Sequence, residues 1–225
     1  ILLQAYCHML IMVNYDRRND GVLGKELHLC NMIAGLKLPT DPRWVNLAAM
    51  DIGAILTDHA YCEQKAASSC ISIIQQFSDY DQVVKALAPI VTEEWGHFRM
   101  VLDELEKRNI PLGPQRKDEY VKALIAFLPK GGSRDERLIE KLLMAGLIEA
   151  RSAERFRLLS KDISDEALRG FYKALMISET GHFRLFLDLA LTIESREYVM
   201  DRWQAWLDHE AEVLQHLSPR GDRMH

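Results

Sequence analysis

The sequence predicts an all-α fold: four long helices paired into two hairpins, a short helix crossing between them, and an extra helix at the C-terminal end. Three observations carry that prediction. Apolar residues recur at helical spacing through five long stretches, and none alternates in the manner of a strand. Breakers fall between the stretches where hairpin turns and a crossover belong. The string Glu94-Trp95-Gly96-His97-Phe98-Arg99 returns as Glu179-Thr180-Gly181-His182-Phe183-Arg184, an offset of 85, which puts both halves in one register.

The first 40 residues are the least organised. Residues 1–16 read as a short apolar helix, and 17–40 as an extension interrupted by Gly21, Gly24, Gly35 and Pro39. The opening run ILLQAYCHMLIMV is 13 residues long, too short for a bilayer, and lacks the basic start and cleavage site of a signal peptide. The bundle begins at Asp41-Pro42, an N-cap residue followed by one suited to a first turn. One helix is predicted from there to Phe77, with Val45, Ala48, Ile52, Ile55, His59, Glu63, Ala66, Cys70, Ile74 and Phe77 facing inward. Ser78-Asp79-Tyr80 turns the chain. The second helix runs to about Asn109 along Val83, Leu87, Ile90, Glu94, His97, Val101 and Leu105, and Pro111 and Pro114 stop it.

A crossover helix covers about 118–128 and ends at the breaker Pro129 to Ser133. The third long helix, about 134–160, presents Leu138, Leu142, Ala145, Glu149, Ser152, Phe156 and Leu159. Lys161 to Ser164 leads into the fourth, about 165–193, with Leu168, Phe171, Leu175, Glu179, His182 and Phe186. A last helix spans about 195–217, and residues 218–225 read as a frayed tail. Two long hairpins joined by a helical crossover match the ferritin-like four-helix bundle, here residues 41–217.

Composition narrows the class. At 225 residues, 48% apolar and 27% charged, the chain suits one globular domain. A net charge of −5 provides no global positive field, so RNA contact would need a local basic patch. The cysteines Cys7, Cys30, Cys62 and Cys70 form no CxxC pair, which argues against a disulfide framework or zinc ribbon and favours the reducing cytoplasm.

The inward stripes contain Glu63, Glu94, His97, Glu149, Glu179 and His182 where apolar residues belong. Glu–x–x–His places a carboxylate and an imidazole on one helical face, and two such motifs with two further glutamates build a two-metal site in a bundle. Carboxylate and imidazole suit iron or manganese. On the third helix Glu149 is chosen over Glu154. It aligns with Glu63 in the repeat, and it lies about as far before its turn as Glu179 lies after it. Glu154 is about 140° further round and is assigned to surface charge or a supporting role.

Neighbouring residues are read by the same geometry. Glu93, about 100° from Glu94, is taken as solvated or in an ion pair on the helix face. His59 is either a hydrogen-bonding support for Glu63 or a satisfied core histidine. Gly96 and Gly181 imply close helix packing or room for substrate or dioxygen. Trp95, Phe98 and Phe183 are expected in the core.

The chain resembles the tRNA-(2-methylthio-N6-isopentenyladenosine) hydroxylase family, MiaE, from about Leu36 to Leu217. The resemblance rests on LTDHAYCEQKAASS, EEWGHFRMVLDELEKRNIPL, LIEARSAERFRLL and ISETGHFRLFLDLA. It implies a di-iron monooxygenase that uses O2 to hydroxylate the isopentenyl side chain of a modified adenosine beside the anticodon. Glu63, Glu94, His97, Glu149, Glu179 and His182 would hold the two Fe ions. Members often carry a bulkier residue where this chain has Gly96 and Gly181. The implied partners are tRNA, O2 and, since no flavin, nucleotide or cluster motif is present, a separate electron-transfer reductase; no membrane is implied. Lys107, Arg108, Arg116, Lys117, Lys130, Arg151, Arg155, Arg157 and Lys161 ring the bundle mouth, where solvated helix faces account for them. The rival on the same bundle is a rubrerythrin- or ferritin-like peroxidase or iron oxidase, which no double CxxC supports.

Overall fold

The computed structural model of the chain describes residues 35–225. The helix read at 1–16, Cys7 and Cys30 lie outside them. Among the described residues there are seven helices and no strand. They are α1 Trp44–Ala49, α2 Ile52–Gln76, α3 Asp81–Lys107, α4 Glu119–Phe127, α5 Arg134–Asp162, α6 Glu166–Leu191 and α7 Arg196–His216. α2 pairs with α3 and α5 with α6 as long antiparallel hairpins; α2 then meets α5, α3 meets α6, and α4 and α7 pack outside α5. None of these helices is long and apolar enough to cross a membrane.

The helix starts follow local chemistry. Ser133 forms a capping box with Glu136, its hydroxyl accepting from Glu136 N at 3.1 Å while its N–H donates to the Glu136 carboxylate at 2.6 Å. Asp118 and Asp165 cap α4 and α6 through Val121 N and Leu168 N. α3 ends at Asn109, whose φ of 54° is the left-handed conformation that asparagine tolerates, and Ile110 N closes back onto Leu105 O at 3.0 Å. One expectation fails here. The helix predicted from Asp41 is broken at Met50, because Asp51 caps a new start by accepting from Ala54 N at 2.8 Å. Asp41 instead binds the N–H and guanidinium of Arg43.

The close approach of α5 and α6 depends on Gly146. A Cβ there would lie 3.3 Å from Phe186 Cβ and 3.6 Å from Phe183 O. Around that contact the core is filled by Phe156, Tyr172, Phe183, Phe186 and Trp206.

Several charges read as solvated are buried. Arg151 is fully enclosed, and its guanidinium grips Glu210 with two bonds, at 2.7 and 2.9 Å. A third nitrogen reaches Glu154, which is therefore not a surface residue; its other oxygen accepts from Thr40 N at 2.9 Å. Nearer the start of α5, Glu140 takes Arg202 and the Trp206 indole N–H, both on α7. These two contacts fasten α7 to α5. Arg155 is buried as well. Trp95 departs in the other sense: 47% exposed, it is not in the core, whereas Phe183 is.

Residues 218–225 are no frayed tail. Met224 is fully buried, its N–H donating to Asp58 at 2.7 Å, and the Trp44 indole donates to Arg223 O at 3.1 Å. Gly221 sits so close to the Leu47 carbonyl that any side chain would collide with it.

Removing Arg151 would leave Glu210 buried and unpaired. Arg151→Met is expected to cost about 3–5 kcal/mol, read as a lower urea midpoint at unchanged slope. A loss under about 1 kcal/mol would contradict the buried network.

Candidate metal centre

Each hairpin delivers three ionisable side chains to the middle of the bundle: Glu63 from α2 with Glu94 and His97 from α3, and Glu149 from α5 with Glu179 and His182 from α6. None is more than 8% exposed. They converge as two overlapping groups, Glu63–Glu94–His97–Glu179 and Glu94–Glu149–Glu179–His182, with one donor atom per residue and all such atoms of a group within 4.8 Å of one another. Glu94 and Glu179 belong to both. His182 Nδ1 lies 2.7 Å from Glu94 Oε1 and 3.0 Å from Glu179 Oε2. His97 Nδ1 lies 3.2 Å from Glu179 Oε1, 3.5 Å from Glu63 Oε2 and 3.6 Å from Glu94 Oε2. Glu154, the competitor set aside in favour of Glu149, is held elsewhere by Arg151 and Thr40.

The electrostatics are those of a cluster short of positive charge. Burial, then the neighbouring Glu94 and Glu179, push Glu149 far above the ordinary carboxylate range. Burial and Glu179 raise Glu94 to about 7. Burial opposes charge on His97, but Glu179, Glu63 and Glu94 overcome it and hold the imidazolium to about 12. Glu63 goes the other way: burial would raise it, yet His59 and His97 bring it down to about 2. Protons thus do part of the balancing. Both oxygens of Glu94, Glu179 Oε1 and His97 Nδ1 remain buried without a directed hydrogen bond. Four carboxylates, two imidazoles and orphaned donor atoms aimed at common points fit two divalent cations.

Two supporting residues stand behind the centre. His59 Nε2 meets Glu63 Oε1 at 2.6 Å, with its ring packed on Phe156 and Tyr172, so the supporting role is realised. Glu93 reaches across from α3 to His182 Nε2 at 3.0 Å, leaving Nδ1 facing the cluster. That pairing was missed because the repeat gives no hint of it: the matching position in the second half is Ser178.

A cavity of 360 Å³ runs between α2, α4 and α5 and ends on Glu63, Glu149 and Glu179. Its walls are mostly apolar, among them Ala66, Val121, Ile125, Met144, Ile148 and Phe186. Cys70 also lines it, and burial pushes that thiol up to about 12, leaving it protonated and inert. Cys62, Asp118 and His225 meet at the rim, where Lys65 already neutralises Asp118 and burial keeps the Cys62 thiol protonated.

A family model described as tRNA-(MS[2]IO[6]A)-hydroxylase (MiaE) matches residues 27–225. The chain belongs to the MiaE family. The match starts before Leu36 and includes the packed segment 218–225. One MiaE relative, "tRNA 2-(methylsulfanyl)-N(6)-isopentenyladenosine(37) hydroxylase" of Pseudomonas putida (strain KT2440), is 33% identical over 157 residues, 70% of this chain and 75% of its own. A protein of the same name from Salmonella typhimurium (strain LT2) is 28% identical, covering 82% of this chain and 84% of its own. A solved structure described as Protein 43 with aldehyde deformylating oxygenase activity from Synechococcus superposes with a TM-score of 0.80 at 34% identity, over 84% of this chain and 94% of that one. The MiaE chain thus shares the ferritin-like bundle seen there.

Gly96 and Gly181 precede the two histidines, yet neither packs closely: a Cβ at either would meet nothing within 4 Å, and neither lines the cavity. Nothing in the fold requires glycine there. Gly96→Ala and Gly181→Ala are each expected to raise stability by about 0.5–1 kcal/mol in thermal or urea melts. Destabilisation would show that the open side is filled.

Proposed function

We propose that this chain is a di-iron, O2-dependent monooxygenase of tRNA. Its substrate would be the isopentenyl side chain of 2-methylthio-N6-isopentenyladenosine beside the anticodon. The observation that carries the reading is the pair of overlapping carboxylate–imidazole groups, three of whose carboxylates line an apolar cavity. The MiaE relatives support the substrate.

Glu63 and His97 would hold one ion, Glu149 and His182 the other, and Glu94 and Glu179 would serve both. When bound, the iron pair supplies dioxygen activation, which an unactivated or allylic C–H bond requires and no side chain offers. The protein's own part is positioning. His59 fixes the Glu63 carboxylate, and Glu93 fixes the His182 ring so that Nδ1 stays free to coordinate. The apolar walls take up a prenyl group and exclude water, keeping the reacting carbon away from competing oxygen nucleophiles. The two electrons of each turnover would come from a separate reductase, with the enzyme working in the cytoplasm.

Two measurements test this. After anaerobic reconstitution with ferrous iron, metal analysis is expected to give two ions per chain for the wild type and a clear loss for Glu94→Ala and Glu179→Ala. Near-zero iron and manganese in the wild type would end the reading. Nucleoside analysis of tRNA should show the hydroxylated nucleoside lost on deletion of the gene, restored by the wild type and not by Glu179→Ala. An unchanged nucleoside profile would refute the substrate while leaving the metal centre standing.

A further inference from the structure

His225 lines two cavities. One is the apolar cavity that ends on the centre; the other, of 490 Å³, lies among the 38–41 segment, Trp44, Tyr120 and residues 217–225. The His225 ring stacks on Tyr120 at 5.3 Å and meets Ser152 Oγ at 2.9 Å, so it forms a fixed partition.

The wall of this second cavity contains an unbalanced charge. Arg155 is only 8% exposed, yet among the described residues no carboxylate forms an ion pair with it. Its guanidinium donates to Met224 O, reaches Thr40 Oγ1 at 3.4 Å and lies over the Trp44 ring at 5.0 Å. Glu154 and Glu210 act on it only through space, and both are taken by Arg151. Burial first, then the like charge of Arg151, bring Arg155 down to about 10. Buried cations are ordinarily paired, and this one has its missing partner's space beside it. Lys117 adds positive charge to the lining, and Arg220 and Arg223 share the single carboxylate of Asp222, each at 2.9 Å. Of the two acids present, Asp41 is neutralised by Arg43, and only Glu119 opposes them.

We propose that this cavity binds a phosphate group of an RNA strand, with Arg155 as the buried counter-charge and Lys117 and Arg220 at the rim. The anion site follows from the cavity itself; that the anion belongs to RNA rests on the proposed tRNA substrate. Because His225 separates the two cavities, a phosphate seated here would lie beside the apolar cavity proposed for the prenyl chain.

The test uses the full chain and a labelled anticodon stem-loop oligoribonucleotide, followed by fluorescence anisotropy at several salt concentrations. Arg155→Met is expected to weaken binding about tenfold and to lower the salt slope by about one. Lys117→Ala with Arg220→Ala should weaken it about threefold without moving the melting midpoint. Inorganic phosphate is titrated in parallel and read by thermal shift. Undiminished RNA affinity in a cooperatively melting Arg155→Met variant overturns the proposal. So does a site that Arg155→Met removes for inorganic phosphate but not for RNA. If Arg155→Met does not fold, the rim double variant decides by its RNA affinity alone. A wild-type chain with no RNA affinity overturns the tRNA reading together with this one, whereas wild-type binding that no variant disturbs overturns only this one.

Discussion

The rest of the structure is arranged around six ionisable side chains withdrawn from water at the middle of the bundle. Isolated charges in such a place are costly, and four of these are carboxylates. Their repulsion is visible in the raised Glu94 and Glu149 and in the strongly held imidazolium of His97. Each hairpin is extensively packed within itself, and the two meet through this cluster and through contacts beside it, such as His59 on Phe156 and Tyr172 and Arg108 with Asp165. Whatever balances the cluster also joins the two halves.

A second set of buried charges provides a useful contrast. Around Arg151 every carboxylate oxygen has a partner, and the set pins α7 and the 38–40 segment to α5. At the centre, by comparison, buried oxygens of Glu94 and Glu179 face one another with no directed donor. Closure marks a network that serves the fold, and open donor atoms mark one that is built for something else to occupy. Arg155 is a third case: its nitrogens reach Met224 O and Thr40 Oγ1, but no carboxylate pairs with its charge among the described residues.

Much of this was legible in the sequence because helices impose a period. The stripes placed Glu63, Glu94, His97, Glu149, Glu179 and His182 on inward faces, and distances from the hairpin turns separated Glu149 from Glu154. What periodicity cannot supply is a partner on a different helix. Glu154, Arg151 and Arg155 looked solvated since their partners Thr40, Glu210 and Met224 are remote in the chain. Glu93 meets a histidine 89 positions away. The break at Met50 was hidden for a local reason: the apolar period runs on from Ala48 to Ile52, so Asp51 reads as an outward-facing helical residue although it acts as a cap. Segment 218–225, short and polar, gave no sign that Met224 and His225 would be wedged among Asp58, Tyr120 and Arg155.

The pairing of Glu93 with His182 has a consequence for symmetry. Glu94 and Glu179 occupy equivalent places in the two hairpins, as do His97 and His182, so the centre is close to twofold. Glu93 breaks that equivalence, because its counterpart Ser178 has neither the charge nor the length to serve His97 in the same way. A carboxylate behind an imidazole makes it the more basic donor. Two ions seated here would therefore be inequivalent from the outset, giving a duplicated scaffold one distinguishable end.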